Sequence, residues 1–264
     1  MDPLLLLLLQ AALADIGCAP AATGDAAAAA ADAYLAGVEH AGAERWTEAE
    51  ASFREAVALD PGIPLAHYGV GQARLALKRY AEAPAAFEAS RDAFLCAGAS
   101  SADTRVASER RLDTMLGRLR DSLRELDQER LVGSTVPWQE VNGDEKPRPG
   151  DALRRRQAIE AQITQIEGLR AGRRATGPPP EVPLALGSAY FHAGDLAAAE
   201  REFRTALAGD PGLGDAHNNL AVVLMLTQRF AEAERAVRAA ERLGVAVSPR
   251  LKEELRVRKS PPAR

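Results

Sequence analysis

Leucines at 112, 116, 119, 123 and 126 follow one another at spacings that alternate between four and three. That alternation is the seam of a coiled coil, on a helix of roughly 103–131. Ile159, Ile163, Ile166 and Leu169 form a second stripe, on a helix of about 151–172 that Asp151 can cap. Between them VGSTVPWQEVNGDEKPRPG breaks helices with Gly, Pro and charge. The pattern predicts an antiparallel helical hairpin, an insertion over 98–179 with a mobile tip loop at 132–150.

On either side of this segment the chain repeats itself. FREAVALDPG at 53–62 returns as FRTALAGDPG at 203–212, and HYGVGQARLALKRYAEA (67–83) returns at the same offset as HNNLAVVLMLTQRFAEA (217–233). A shorter period lies inside each half, with units at 30–63, 64–97, 180–213 and 214–247. Gly37 then falls opposite Gly71, Ala49 opposite Ala83, Phe53 opposite Phe87 and Trp46 opposite Tyr80. In the second half Gly187 pairs with Ala221, Leu196 with Phe230, Ala199 with Ala233 and Phe203 with Val237. Small residues facing one another let two helices approach closely, and the large apolar residues fill what remains. Asp60-Pro61-Gly62 and Asp210-Pro211-Gly212 end helices. The same logic makes GVG (69–71) a packing feature and not a phosphate loop, and gives His67 and His217 a structural place near a helix start.

This register resembles the tetratricopeptide repeat family, whose unit is two antiparallel helices. The matches are Gly37, Ala49, Phe53, Ala56 and Pro61 in the first unit, and Gly187, Ala199, Phe203, Ala206 and Pro211 in the third. Units two and four carry Leu95 and Val245 where the family has proline. The resemblance implies an all-α solenoid of two repeat pairs, with the first helix of each unit lining a concave groove. By analogy the groove residues are Tyr34, Val38, Tyr68, Gln72, Leu75, Phe191, His192, Asn218, Val222, Met225 and Leu226. That mostly apolar set suits an amphipathic helix or an extended apolar peptide. The Lys and Asn residues with which some members clamp a terminal carboxylate are missing.

After the fourth unit, Ser248-Pro249 reads as N-cap and first helical residue. A helix over 248–258, with Leu251 and Leu255 one turn apart, would cap the last repeat, and 259–264 is a free tail. GPPPEVP at 177–183 restarts the array as a stiff link. At the other end, residues 1–14 read as a secretory signal, a leucine run ending in Ala12-Leu13-Ala14, followed by a flexible segment at 15–29. Asp2 and the lack of Lys or Arg before the leucines depart from a usual signal, a departure that a misplaced start codon would explain. IGC at 16–18 resembles the end of a lipobox, with Asp15 where Leu belongs. The expected location is periplasmic or secreted, the alternatives being a lipoprotein anchored at Cys18 and a cytoplasmic protein.

Composition removes most other functions. The 264 residues are 47% hydrophobic but only 5% aromatic, and the net charge is −4, which gives no case for nucleic acid. Arg154-Arg155-Arg156 is read as a solvated helix face. Trp138 is either a contact residue of the tip loop or a plug at the hairpin's end. Two cysteines are too few for a disulfide framework or a zinc site, and four scattered histidines give no metal or cofactor spacing. With no nucleophile, base and orienting acid in a recognisable arrangement, the expectation is a non-enzymatic interaction scaffold that binds a protein or peptide in an envelope assembly. A self-associating adaptor built on the hairpin is the alternative, and a cytoplasmic enzyme-associated repeat domain a remote one. The hairpin is expected either to project from between the repeat pairs or to stack between them as an outsized repeat.

Overall fold

The computed structural model describes residue 22 and residues 24–99, 102–133, 151–171 and 178–259. The signal-like segment with Cys18, most of the tip loop with Trp138, and the last five residues lie outside these. Eleven α-helices and no strand occur among the described residues. They are α1 (Asp25–Gly42), α2 (Trp46–Leu59), α3 (Pro64–Ala76), α4 (Ala83–Ala99), α5 (Ala102–Gly133), α6 (Asp151–Ala171), α7 (Glu181–Ala193), α8 (Leu196–Gly209), α9 (Gly214–Leu226), α10 (Phe230–Arg242) and α11 (Pro249–Lys259). The first helix begins at Asp25, five residues ahead of the repeat phase, because its Ala-rich start continues the helix without a breaker.

The helices form two compact units. One comprises Met1–Leu77 with Asp92–Gly177, the other Lys78–Arg91 with Pro178–Arg264. In the first unit α1 packs on α2 and α2 on α3. The Phe53 ring fixes how close they come: a Cβ on Gly37 would fall 2.5 Å from it, and one on Gly69 2.8 Å. Glycine is therefore required at both places by space, and the GVG motif is a packing device at Gly69. Glu50, 5% exposed, is held by Arg74 at 3.0 Å, a pair that ties α2 to α3.

The same construction recurs in the second unit, where a Cβ on Gly187 would lie 2.7 Å from Phe203. Its core runs from Ala199 and Phe203 through Leu220, Ala221, Leu224, Ala233 and Val237 to Leu251 and Leu255 of α11. Asp195 caps α8 by accepting from the Ala198 N–H at 2.8 Å. Ala198 is as buried as Ala199, at 1% and 0% exposure. The tight face of α8 is thus wider than a single alanine stripe.

Each repeat turns between its helices at an equivalent residue in the left-handed region: Glu44 (φ 59°), Lys78 (φ 59°), Gly194 (φ 89°) and Gln228 (φ 62°). Only the third repeat places glycine there, so three side chains hold a conformation that disfavours them.

Within the first unit α5 and α6 run antiparallel. Arg120 of α5 pairs with Glu167 of α6 at 2.8 Å, and Asp127 further along α5 pairs with Arg156, earlier in α6, at 2.5 Å. Met115, Leu116, Leu119, Ile159 and Ile166 are buried. Both helices also pack on α1. The hairpin is therefore not a free projection: within this unit the face of α1 offers it both small residues and acidic partners. Residues 78–91 of the second repeat belong to the same unit as the third repeat.

Candidate protein-binding faces

The first unit carries five of the eleven groove positions. Tyr34 and Val38 are closed off, at 1% and 3% exposure. The Tyr34 ring sits 5.7 Å from Phe53, and its hydroxyl donates to Gln162 of α6. Burial pushes that hydroxyl's pKa well above the usual tyrosine range. A Cβ on Gly42 would come 2.9 Å from the Ala158 methyl group, so α6 lies directly against the last turn of α1. Asp32 pairs with Arg118, Glu39 with Arg155 at 3.4 Å, and Glu44 with Arg154 at 3.8 Å. Tyr34 and Val38 are therefore not open groove residues as expected. Tyr68 and Leu75 are half-buried and Gln72 is exposed.

In the second unit the groove positions stay more open. Phe191, Val222 and Met225 pack their inner sides on the core and are half-buried, and Leu226 is 48% exposed. They belong to α7 and α9, which lie beside one another. His192 is exposed, with its ring stacked on Tyr80 (centroids 4.8 Å apart, planes at 17°) and edge-on to Phe191 at 5.5 Å. Asn218 is half-buried, its side-chain amide donating to Asn219 Oδ1 at 3.4 Å. Tyr80 joins this surface although the sequence assigns it only a space-filling role opposite Trp46. Its repeat position marks it as large, but not which neighbour it meets. Beneath lies a polar network: the Tyr190 hydroxyl donates to Glu88, and Arg91 stands 3.8 Å from Glu202. Burial, then the Glu88 carboxylate, pushes Tyr190 up to about 12.

The remaining candidates resolve into structural roles. His67 and His217 each bring Nε2 to the carbonyl of the preceding turn's proline, Pro61 at 2.9 Å and Pro211 at 3.2 Å. In those turns the Asp60 and Asp210 carboxylates accept from the Gly62 and Gly212 N–H groups at 3.0 and 2.7 Å. The arginine triplet is engaged within the chain: Arg154 and Arg155 face α1, while Arg156 meets Asp127 and Glu160. Cys96 is disulfide-bonded. No cluster of metal-ligating side chains occurs among the described residues, and no helix there is long and apolar enough to cross a membrane.

Tetratricopeptide repeat models match residues 34–94 and 190–245. Among solved structures, similarity extends to YrrB, a tetratricopeptide repeat protein with an unusual peptide-binding site. It shows 20% identity over 84% of this chain and 87% of that one, with a TM-score of 0.25. The TPR2AB domain of yeast Sti1, in a complex with pHSP90, matches at 13% identity over 88% of this chain and 98% of that one, TM-score 0.28. MamA of Desulfovibrio magneticus RS-1, from residue 41 to its end, matches at 16% identity over 90% and 100%, TM-score 0.23. No curated protein matches this chain.

Proposed function

Given that the chain belongs to the tetratricopeptide repeat family, over residues 34–94 and 190–245, we propose that it is a non-enzymatic scaffold whose second unit takes an apolar helix or extended peptide. One observation carries this reading: Phe191, Val222, Met225 and Leu226 form a half-open apolar stripe on α7 and α9, with Tyr80 and His192 stacked at its side. Apolar side chains left partly exposed at one level of two adjacent helices have a further surface to bury, and a partner's apolar face supplies it. The stacked ring pair gives that surface a flat, rigid, polar-edged flank, which limits the entropy lost when it is covered.

The leucine run and the Ala-Leu-Ala site support an exported protein acting in an envelope assembly. Lipidation at Cys18 would add a membrane anchor. Self-association through the hairpin remains the alternative for assembly.

Two measurements test the reading. Val222→Arg with Leu226→Arg should abolish capture of the native envelope partner after crosslinking, while Leu243→Arg, exposed on α10's end, should leave it intact. Equal capture by both variants would remove the stripe from the account. Mature protein from its host should begin at Asp15, or at a lipidated Cys18; a cytosolic product retaining residues 1–14 would remove export.

A further inference from the structure

The hairpin's second helix has two working faces. Ile159, Ile163 and Ile166 form the stripe that belongs to the hairpin's own seam. Arg155, Ala158 and Gln162, one turn apart along α6, form a second stripe that meets α1. Two contacts fix its direction: Arg155 and Ala158 lie against Gly42, while Gln162, further along α6, meets Tyr34, much earlier in α1. So α6 is laid antiparallel on the first repeat's first helix.

We propose that α6 is a resident ligand of the α1 face, held in cis, and that it yields to a basic amphipathic helix of a partner protein. Three observations define that occupant. The Gly42–Ala158 approach admits only a small side chain at the centre. The Tyr34 hydroxyl requires an acceptor one helical turn further on. Glu39 and Glu44 rim the face with negative charge, which calls for arginine or lysine around the small residue.

The contact is built to release. Its ion pairs are solvent-facing, with Glu39 and Glu44 side chains 52% and 70% exposed, and such pairs contribute little and weaken with salt. Arg155 Nε is buried with no hydrogen-bond partner, so the docked state leaves a donor unmet. Apart from α1, α6 has a partner of its own in α5, through the buried isoleucines and Met115, Leu116 and Leu119. Displacement would therefore move a hairpin that keeps its own seam, and would open Tyr34 and Val38 to a competing helix. The proposal shares with the scaffold reading the idea that first helices bind partners, but it concerns a different unit and is tested on a different face.

The probe is a labelled synthetic peptide of residues 151–171, added in trans to the full chain. In the wild type the face is filled, and affinity falls by the fraction of time it is vacant, about tenfold for a site open a tenth of the time. Arg154→Glu with Arg155→Glu in the full chain sets like charges against Glu44 and Glu39, vacates α1, and should tighten peptide binding by about that factor or more. Adding Glu39→Arg and Glu44→Arg should restore the latch, read as a return of α6 amide protection to the wild-type level, because that face also repels the arginines of the peptide. Equal peptide affinity for wild type and charge-reversed chain, or binding to neither, overturns the proposal. Hydrogen exchange on the unaltered chain gives an independent check. The α6 amides should open in a step separate from, and faster than, those of α1 and α2, and exchange only by one global opening shared with α2 would mark a permanent cap. Loss of peptide binding together with an intact second-unit interaction would reject this proposal alone.

Discussion

The Tyr34 hydroxyl donates to Gln162 across 128 positions of sequence, joining the first helix of the first repeat to the second helix of the insertion. Tyr34→Phe removes only the donor and should cost about 1 kcal/mol, the net value of one such bond. Gln162→Ala should cost a similar amount. The double variant should cost less than the sum of the two, because both single changes remove the same interaction. Urea denaturation of the four proteins measures it; strictly additive losses would mean that the two side chains do not act on one another.

Glu44, Lys78 and Gln228 hold φ near +60° where the third repeat has Gly194. A left-handed non-glycine residue carries roughly 1 kcal/mol of backbone strain. Gln228→Gly should therefore stabilise the second unit by a few tenths of a kcal/mol to about 1, less the extra freedom glycine gives the unfolded chain. Gly194→Ala should destabilise by about 1 kcal/mol. Melting temperatures should move in opposite directions for the two variants. A fall in both would show that Gln228's side chain, not its backbone, decides that turn.

Glu202 sits on α8 with its pKa raised first by burial and then by the Glu88 carboxylate, against the lowering effects of Arg91 and Arg201. A carboxyl with a higher pKa folded than unfolded takes up a proton on folding. Its contribution to stability is complete below the ordinary glutamate range, about pH 4, and is lost as pH rises through the folded value. Near neutral pH the buried carboxylate is a net cost, so Glu202→Gln should raise the melting temperature there. The gain should shrink as the medium is acidified toward about pH 4. A difference that stays constant with pH would contradict the assignment.

The repeat frame was legible because its determinants are local in type and regular in spacing. Gly37, Gly187, Phe53 and Phe203 announce a tight two-helix contact, and those residues meet in the structure. The leucine and isoleucine stripes foretold helices close to Ala102–Gly133 and Asp151–Ala171. What the hairpin packs on was not legible. Gln162, Ala158 and Arg155 look like ordinary exposed positions of a coiled coil, and nothing in their spacing names Tyr34, Gly42 or Glu39. The same limit hid Tyr80, whose contact with His192 joins positions more than a hundred residues apart. The left-handed turns were hidden for the opposite reason. Glycine would have marked them, and only one of four repeats uses it.

The proposed seat of a protein partner is the half-open stripe of α7 and α9. A photo-crosslinking residue placed at Leu226 tests it most directly, with a second placed at Val257, which is 58% exposed on α11 and belongs to neither helix of that stripe. Irradiated in the native host, the protein labelled at position 226 should yield one dominant protein adduct, lost when Val222→Arg is added, and position 257 should yield none. Adducts from 257 but not 226, or equal adducts from both that survive Val222→Arg, would place the partner elsewhere on the molecule.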